Sequence, residues 1–236
     1  MIIWLASYPR SGNTFFRALV YEVYGAHTHE FYDRHGDPAS SEALRTIFGA
    51  ATTRPSLEEM KSAEACYLVK THEMPDDDCP AIYLVRDGRD ALVSHAHFVL
   101  QHDERVPPDA HRARYDDTLK MLIETDASFG GWSGNVRAWT TRSTGTTIVR
   151  FEELIERPLA CLRRTMADVG YPLPERPSPR IPTFGELQQK VPPVFRKGRV
   201  GSWREEMCKE LQELFWIGHG DVMHAMGYSR DSLPPS

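Results

Sequence analysis

The stretch WLASYPRSGNTFFRALV, residues 4–20, decides the fold. It opens with an apolar run, turns through a polar loop and closes in a segment that starts near Asn13. There Phe16, Leu19, Val20 and Val23 fall at helical spacing. A strand, a tight loop and a helix N-terminus together make an anion cradle. Backbone N–H groups point outward there, and the helix dipole favours negative charge. Gly12 permits close backbone approach, Arg10 adds a positive charge, and Ser11 and Thr14 add hydroxyl donors. The ATP-type loop is written G-x-x-x-x-G-K-[ST]. Here Ser7 stands at its first Gly and Asn13 at its Lys. An ATPase also needs Mg²⁺ to neutralise its phosphates, yet the apolar run at 81–85 ends against Arg86 rather than a lone Asp. The loop therefore suits an anion managed by protein cations. Taken alone, it reads equally well as an ordinary strand-to-helix turn.

Outward from this loop, IIWLA (2–6), CYLVK (66–70), AIYLV (81–85) and TTIVRF (146–151) read as strands. Helical spacing falls between them, at about 90–101, 132–142 and 159–169. Short apolar strands alternating with helices predict an α/β fold with a central parallel β-sheet flanked by helices. The 236 residues suffice for one domain with a real core. Segments 27–54 and 170–199 resist assignment and are long for plain connectors, so they are expected to be functional or mobile. The tail after about residue 229 is expected to fray.

Composition narrows the function classes. Hydrophobic residues make 41% and charged residues 26%, an ordinary globular balance, and the net charge of −5 argues against a nucleic-acid binder. Cys66, Cys79, Cys161 and Cys208 form no C-x-x-C pair, which predicts buried free thiols and a reducing compartment. MIIWLA has no basic leader, and no apolar run approaches the roughly 20 residues of a membrane span. The expectation is a soluble cytoplasmic protein with no membrane partner.

Two further cationic stretches stand out. In YLVRDGRDALVSHAHF (83–98), Arg86 sits at the C-terminal end of a strand, where open α/β sheets bind ligands. Asp87 or Asp90 can cap the following helix, and Ser94 lies about one turn in, facing back toward Arg86. The alternative is that Arg86 simply pairs with Asp87 or Asp90. In FRKGRVGSWRE (195–205), Arg196, Lys197 and Arg199 cluster around Gly198 and Gly201. Such a loop can wrap a phosphate, or can be a solvated charge run. His95 and His97 are two apart on a helix and do not face each other, so solvent-facing or acceptor-pocket roles suit them better than metal ligation. Trp132 and Trp139 share one helical face and read as core, and Trp203 reads as a loop anchor.

These stretches together resemble the sulfotransferases that use 3′-phosphoadenosine 5′-phosphosulfate (PAPS). YPRSGNT is similar to that family's 5′-phosphosulfate loop, RDGRD-x-x-x-S to its 3′-phosphate motif, and RKGRVGSW to its C-terminal R-K-G-x-x-G-x-W. VKTHEMP, at 69–75, resembles the K-T-H-x-P stretch that carries the catalytic base. The four matches occur in the family's order over nearly the whole chain. The resemblance implies a P-loop-like nucleotide-binding fold. It also implies that Arg10, Ser11, Gly12, Asn13 and Thr14 hold the 5′-phosphosulfate. Arg86 and Ser94, joined by Arg196, Lys197 and Gly198, hold the 3′-phosphate. Phe15 stands where the family often has an adenine-stacking Trp, and Phe151 where it often has a Tyr. His72 is the implied general base, suited by an imidazole that ordinarily titrates near ~6.5. Lys70, two residues earlier in an extended segment, points to the same side, and with Arg10 it would stabilise the leaving oxygen. No metal is required. The expected partner is a small-molecule hydroxyl acceptor, bounded by loops 27–54, 101–128 and 171–195. The competing reading is a P-loop nucleotide kinase or phosphotransferase, which should want the Lys and Mg²⁺. Oligomeric state is not readable.

Overall fold

A computed structural model describes residues 1–30, 47–49, 55–126, 129–192 and 194–231. The described elements run β1 (Ile2–Ser7), α1 (Asn13–Tyr24), β2 (Thr28–Glu30), α2 (Leu57–Ser62), β3 (Tyr67–Thr71), β4 (Ala81–Val85) and α3 (Gly88–His102). There follow α4 (His111–Glu124), α5 (Gly131–Thr140), β5 (Thr146–Arg150), α6 (Phe151–Glu156), α7 (Pro158–Asp168), α8 (Phe184–Lys190), α9 (Trp203–Glu206) and α10 (Lys209–Ala225). All strand pairings are parallel, in the order β2-β3-β1-β4-β5.

The strands are apolar because both of their faces are covered. Every residue of β1 and of β4 is buried. Ile2, Trp4 and Ala6 face one core with Tyr83, Val85, Trp132, Trp139 and Phe215. Ile3 and Leu5 face the other, with Phe16, Leu19, Ile82, Leu84 and Leu162. This alternation is the two-residue period of a strand between two helical layers. Each of the buried Ile, Leu, Val and Phe side chains contributes about 1.5–3 kcal/mol by leaving water.

The strand order also decides where the site lies. The chain leaves β1 through α1 to the edge strand β2 and returns to β3 on one flank of β1. It then takes up β4 on the other flank. The direction of winding therefore reverses around β1. A crevice opens at the C-terminal ends of strands at such a reversal. Three predicted features meet there: the loop after β1, His72 directly after β3, and Arg86 directly after β4.

Several expectations change. The last of the predicted strands, β5, ends at Arg150, and Phe151 opens α6, whose first turn carries Glu152 and Glu153 at the positive end of the helix dipole. Segment 27–54 contributes β2, while 31–46 and 50–54 lie outside the described residues. Segment 101–128 contains α4, with 127–128 outside. Segment 170–199 contains α8, started by a capping box between Thr183 and Glu186. Residues 209–225, unassigned from sequence, form α10, and Phe215 from it packs into the core. Of the free thiols only Cys161 is buried, and Cys208 is exposed. The tail expected to fray falls largely on 232–236, which lie outside the described residues. No helix among the described residues is long and apolar enough to cross a membrane.

Candidate active site: a cation-lined cleft at the sheet edge

The loop after β1 is shaped by two left-handed residues, Arg10 at φ 68° and Gly12 at φ 96°. Gly12 has a second reason to lack a side chain, since an added Cβ would stand 2.6 Å from a ring carbon of Phe151. No side chain caps α1, so the N–H groups at its start are left for another acceptor. Asn13 turns its amide inward, donating to the Leu5 carbonyl at 2.8 Å and to Ser7 Oγ at 3.2 Å. Where an ATP-type loop carries a Lys, this chain therefore has a brace for the loop. Ser11 is buried within the loop, and its hydroxyl has no partner among the described residues.

Arg10 donates through Nε to Ser94 Oγ at 3.1 Å and through Nη2 to the Val194 carbonyl at 2.7 Å. Arg86 donates to the Arg10 carbonyl at 3.2 Å and to the Arg199 carbonyl at 3.1 Å. Its guanidinium carbon lies 4.3 Å from the centre of the Phe151 ring. The three predicted phosphate motifs thus converge through arginine to main-chain bonds. Asp90 seals the same junction. Fully buried, it accepts from Gly201 N at 2.7 Å, Ser202 Oγ at 3.0 Å and Trp203 N at 3.0 Å, and it lies 3.8 Å from Arg86. Asp87 caps α3 and pairs with Arg89, whose guanidinium stacks on Trp203. In the R-D-G-R-D run only Arg86 reaches the cleft, and the other charges hold the scaffold.

Among the described residues lining the cleft are Arg10, Lys70, Arg86, Arg196 and Lys197, and no lining residue is acidic. Burial, then the charges of Arg86 and Arg196, lowers Arg10 to about 10. It stays charged at neutral pH, but at a cost that an anion would relieve. The Nε–H groups of Arg86 and Arg196 are buried and have no partner among the described residues. Orphaned buried donors are rare, and two on cationic groups in one cleft fit a missing anion.

Arg196 and Lys197 are held by Glu206, at 2.7 Å and 2.9 Å, and His97 Nε2–H donates to the same carboxylate at 2.9 Å. Burial alone would raise the Glu206 carboxyl, but these three donors outweigh it and hold the group well below the usual range. A lowered carboxylate contributes stability above the unfolded-state value of about 4.3, and that stability is lost as pH falls toward the folded value. Glu206→Gln is therefore expected to lower stability at pH 7 by about 2 kcal/mol. Denaturant unfolding from pH 7 to pH 3 should show the gap from the wild type closing below pH ~4.3.

His72 sits where β3 ends. Its Nδ1 lies 2.6 Å from the Ser7 carbonyl, which can only accept, so Nδ1 carries the proton. When the ring is neutral, its lone pair is therefore on Nε2. Lys70, on the same cleft wall, lies 3.9 Å from Glu30, which also pairs with the buried Arg17. His95 lines the cleft and bonds the Tyr8 hydroxyl at 3.1 Å, whereas His97 is taken by Glu206. Of the remaining predicted residues, Gly12, Asn13, Thr14, Phe15, Ser94, Phe151 and Gly198 line the cleft, and Ser11 does not. Sequence reasoning missed Phe98, Phe129, Phe184 and Phe195, which also line it. Phe184 packs edge-on to Phe15 and Phe195, at 6.2 Å and 5.4 Å between ring centres. Phe98 and Phe195 fall inside the two cationic stretches, where the charges drew the reading and the rings did not, and Phe129 and Phe184 belong to no motif. Among the described residues no three His, Cys, Asp or Glu side chains gather into a cation-binding group.

Comparisons with known proteins agree with this architecture. The profile of the sulfotransferase domain matches residues 2–227. Mouse sulfotransferase 1E1 is 24% identical over 247 residues, covering 89% of this chain and 79% of that protein. A flavonol sulfotransferase-like protein of Flaveria bidentis is 20% identical over 248 residues, covering 89% of this chain and 78% of its own. The crystal structure of mouse sulfotransferase SULT7A1 complexed with PAP superposes with a TM-score of 0.63 at 19% identity, covering 94% of this chain and 83% of that one. Retinol dehydratase in complex with androsterone and inactive cofactor PAP gives 0.62 at 18% identity, covering 94% and 80%. The structural likeness establishes the shared fold, and the profile match over nearly the whole chain establishes that this protein belongs to the sulfotransferase family.

Proposed function

We propose that the protein transfers a sulfuryl group from PAPS to a hydroxyl of a small molecule, with His72 as general base. The observation that carries this reading is the pair of buried Nε–H groups on Arg86 and Arg196, without a partner among the described residues, in a cleft whose described lining carries five cations and no acid. Such a site fits a nucleotide bearing phosphates at two ends. The start of α1 with Arg10 suits one anion, and Arg86, Ser94, Arg196 and Lys197 suit the other. Phe15, Phe184 and Phe195, with Phe184 edge-on to the other two, give the cleft an aromatic lining that suits a purine. The two fold relatives are complexed with PAP, the nucleotide left when PAPS has given up its sulfuryl group.

Bound, PAPS supplies an activated sulfuryl group whose departure leaves negative charge on a phosphate oxygen. The chain's own groups manage the rest. His72 takes the acceptor's hydroxyl proton at Nε2, and its Nδ1–H stays on the Ser7 carbonyl, which fixes the ring. Lys70, Arg10 and the loop amides stabilise the charge that develops on the leaving oxygen. Phe129 makes the wall beside His72 apolar, and Phe98 lines the same cleft, which suits an alcohol or phenol. The androsterone and flavonol named for two relatives are hydroxylated small molecules of this kind.

The test is incubation with PAPS labelled in its sulfuryl group and a panel of phenols and steroid alcohols. Label is expected in an organic product, with equal formation of PAP. Phosphate transfer from ATP–Mg²⁺ to the same acceptors, without label transfer from PAPS, would replace this reading with a phosphotransferase.

A further inference from the structure

Asn135 is fully buried on α5, on the stripe that also carries Trp132 and Trp139. A polar residue on such a stripe needs partners, and this one has a full set. Its amide donates to the His72 carbonyl at 2.9 Å and to the Phe129 carbonyl at 3.0 Å. Its oxygen accepts from the buried Tyr83 hydroxyl at 2.9 Å. The orientation is fixed chemically, because a flipped amide would set its oxygen against two carbonyls. One turn further on, Trp139 Nε1–H donates to the Glu73 carbonyl at 2.9 Å. Helix α5 therefore grips two successive carbonyls of the segment that carries His72.

The second residue held by Asn135 is in an unfavourable conformation. Phe129 has φ 57°, in the left-handed region that a bulky residue seldom enters. Such strain persists only where surrounding bonds enforce it, and it gathers at functional sites. The Phe129 ring stands edge-on to the His72 imidazole, with centres 5.5 Å apart. Both residues line the cleft.

We propose that Asn135 is a positioning residue that sets His72 and Phe129 as one unit, fixing the base and the adjacent acceptor wall together. Tyr83 orients the amide that does so. The inference rests on the reading of His72 as the base, but its structural part can be tested without turnover. Asn135→Ala is expected to lower kcat by about 10²-fold, the scale of a slight misplacement of a catalytic group. Tyr83→Phe, which removes only the orienting hydroxyl, is expected to lower it about tenfold. The KM for PAPS and the affinity for PAP should not change, since neither side chain lines the cleft.

The deciding readout is nitrogen-15 NMR of histidine-labelled protein. Wild-type His72 should show a single tautomer protonated at Nδ1, and both variants should show averaging or fast exchange at His72 alone. If Asn135→Ala does not fold, Tyr83→Phe carries the test. Folded variants with the wild-type His72 signal would overturn the proposal. So would a kcat loss matched by an equal loss of PAP affinity. If the wild type neither binds PAP nor turns over PAPS, the functional reading fails, and the imidazole signal still decides the positioning role.

Discussion

Replacing His72 with alanine is expected to lower kcat by about 10²–10⁴-fold while leaving PAP affinity within about twofold. The reasoning is geometric. The ring hangs from the end of β3 and donates through Nδ1 to the Ser7 carbonyl, apart from the Arg10 and Arg86 hydrogen bonds that join the loops. Its loss removes a proton acceptor and leaves the anion cradle intact. The pH–rate profile of the variant should lose the acidic limb that a neutral imidazole base imposes. Steady-state kinetics over pH 5–9, with PAP titration of the same samples, separates this from general damage. A variant that binds PAP and keeps kcat within a few-fold would show that another group takes the proton.

The second large effect is on binding. Arg86→Ala is expected to weaken PAP by about 10²–10⁴-fold, the loss of two charge-assisted hydrogen bonds. Adenosine 5′-phosphate, which lacks the 3′ group, should lose much less. Arg86 also braces the Arg10 and Arg199 carbonyls, so truncation costs stability as well. Comparing the two nucleotides on one variant cancels that shared cost. Arg86→Lys keeps the charge without the planar fork and is expected to fall between wild type and alanine. Calorimetric titration of both nucleotides measures the difference. Equal losses for both would place Arg86 in the scaffold and not at the 3′-phosphate.

Much of this site was legible in the sequence because its parts lie at strand ends. A buried parallel strand is an unbroken apolar run, and the residue after it falls at the sheet edge, where ligands bind. His72 after YLVKT and Arg86 after AIYLV could be placed in this way. The glycine hinge of the first loop was equally legible, since φ 96° at Gly12 is nearly reserved for glycine. What escaped was whatever depended on long-range pairing. Nothing local distinguishes Asn13 as a brace for Leu5 from Asn13 as an anion ligand. Nothing local says that Glu206 will bind Arg196 and Lys197, or that Asp90 will clasp the loop at 201–203. Phe184 and Phe195 gave no periodic signal because they come from a proline-rich segment in which only the short α8 is regular. Asn135 did leave a trace, as a polar residue on the face of Trp132 and Trp139, and only the carbonyls it meets reveal its use.

The most direct test of the central claim is thermal unfolding with adenosine 3′,5′-bisphosphate, set beside adenosine 5′-phosphate and ATP–Mg²⁺. At about 100 times its Kd, the bisphosphate should add roughly 2.7 kcal/mol, a rise in Tm of roughly 5–11 °C. The other two should add far less, because neither carries the 3′-phosphate proposed to meet Arg86 and Arg196. Stabilisation by ATP–Mg²⁺ alone would contradict the reading of the cleft.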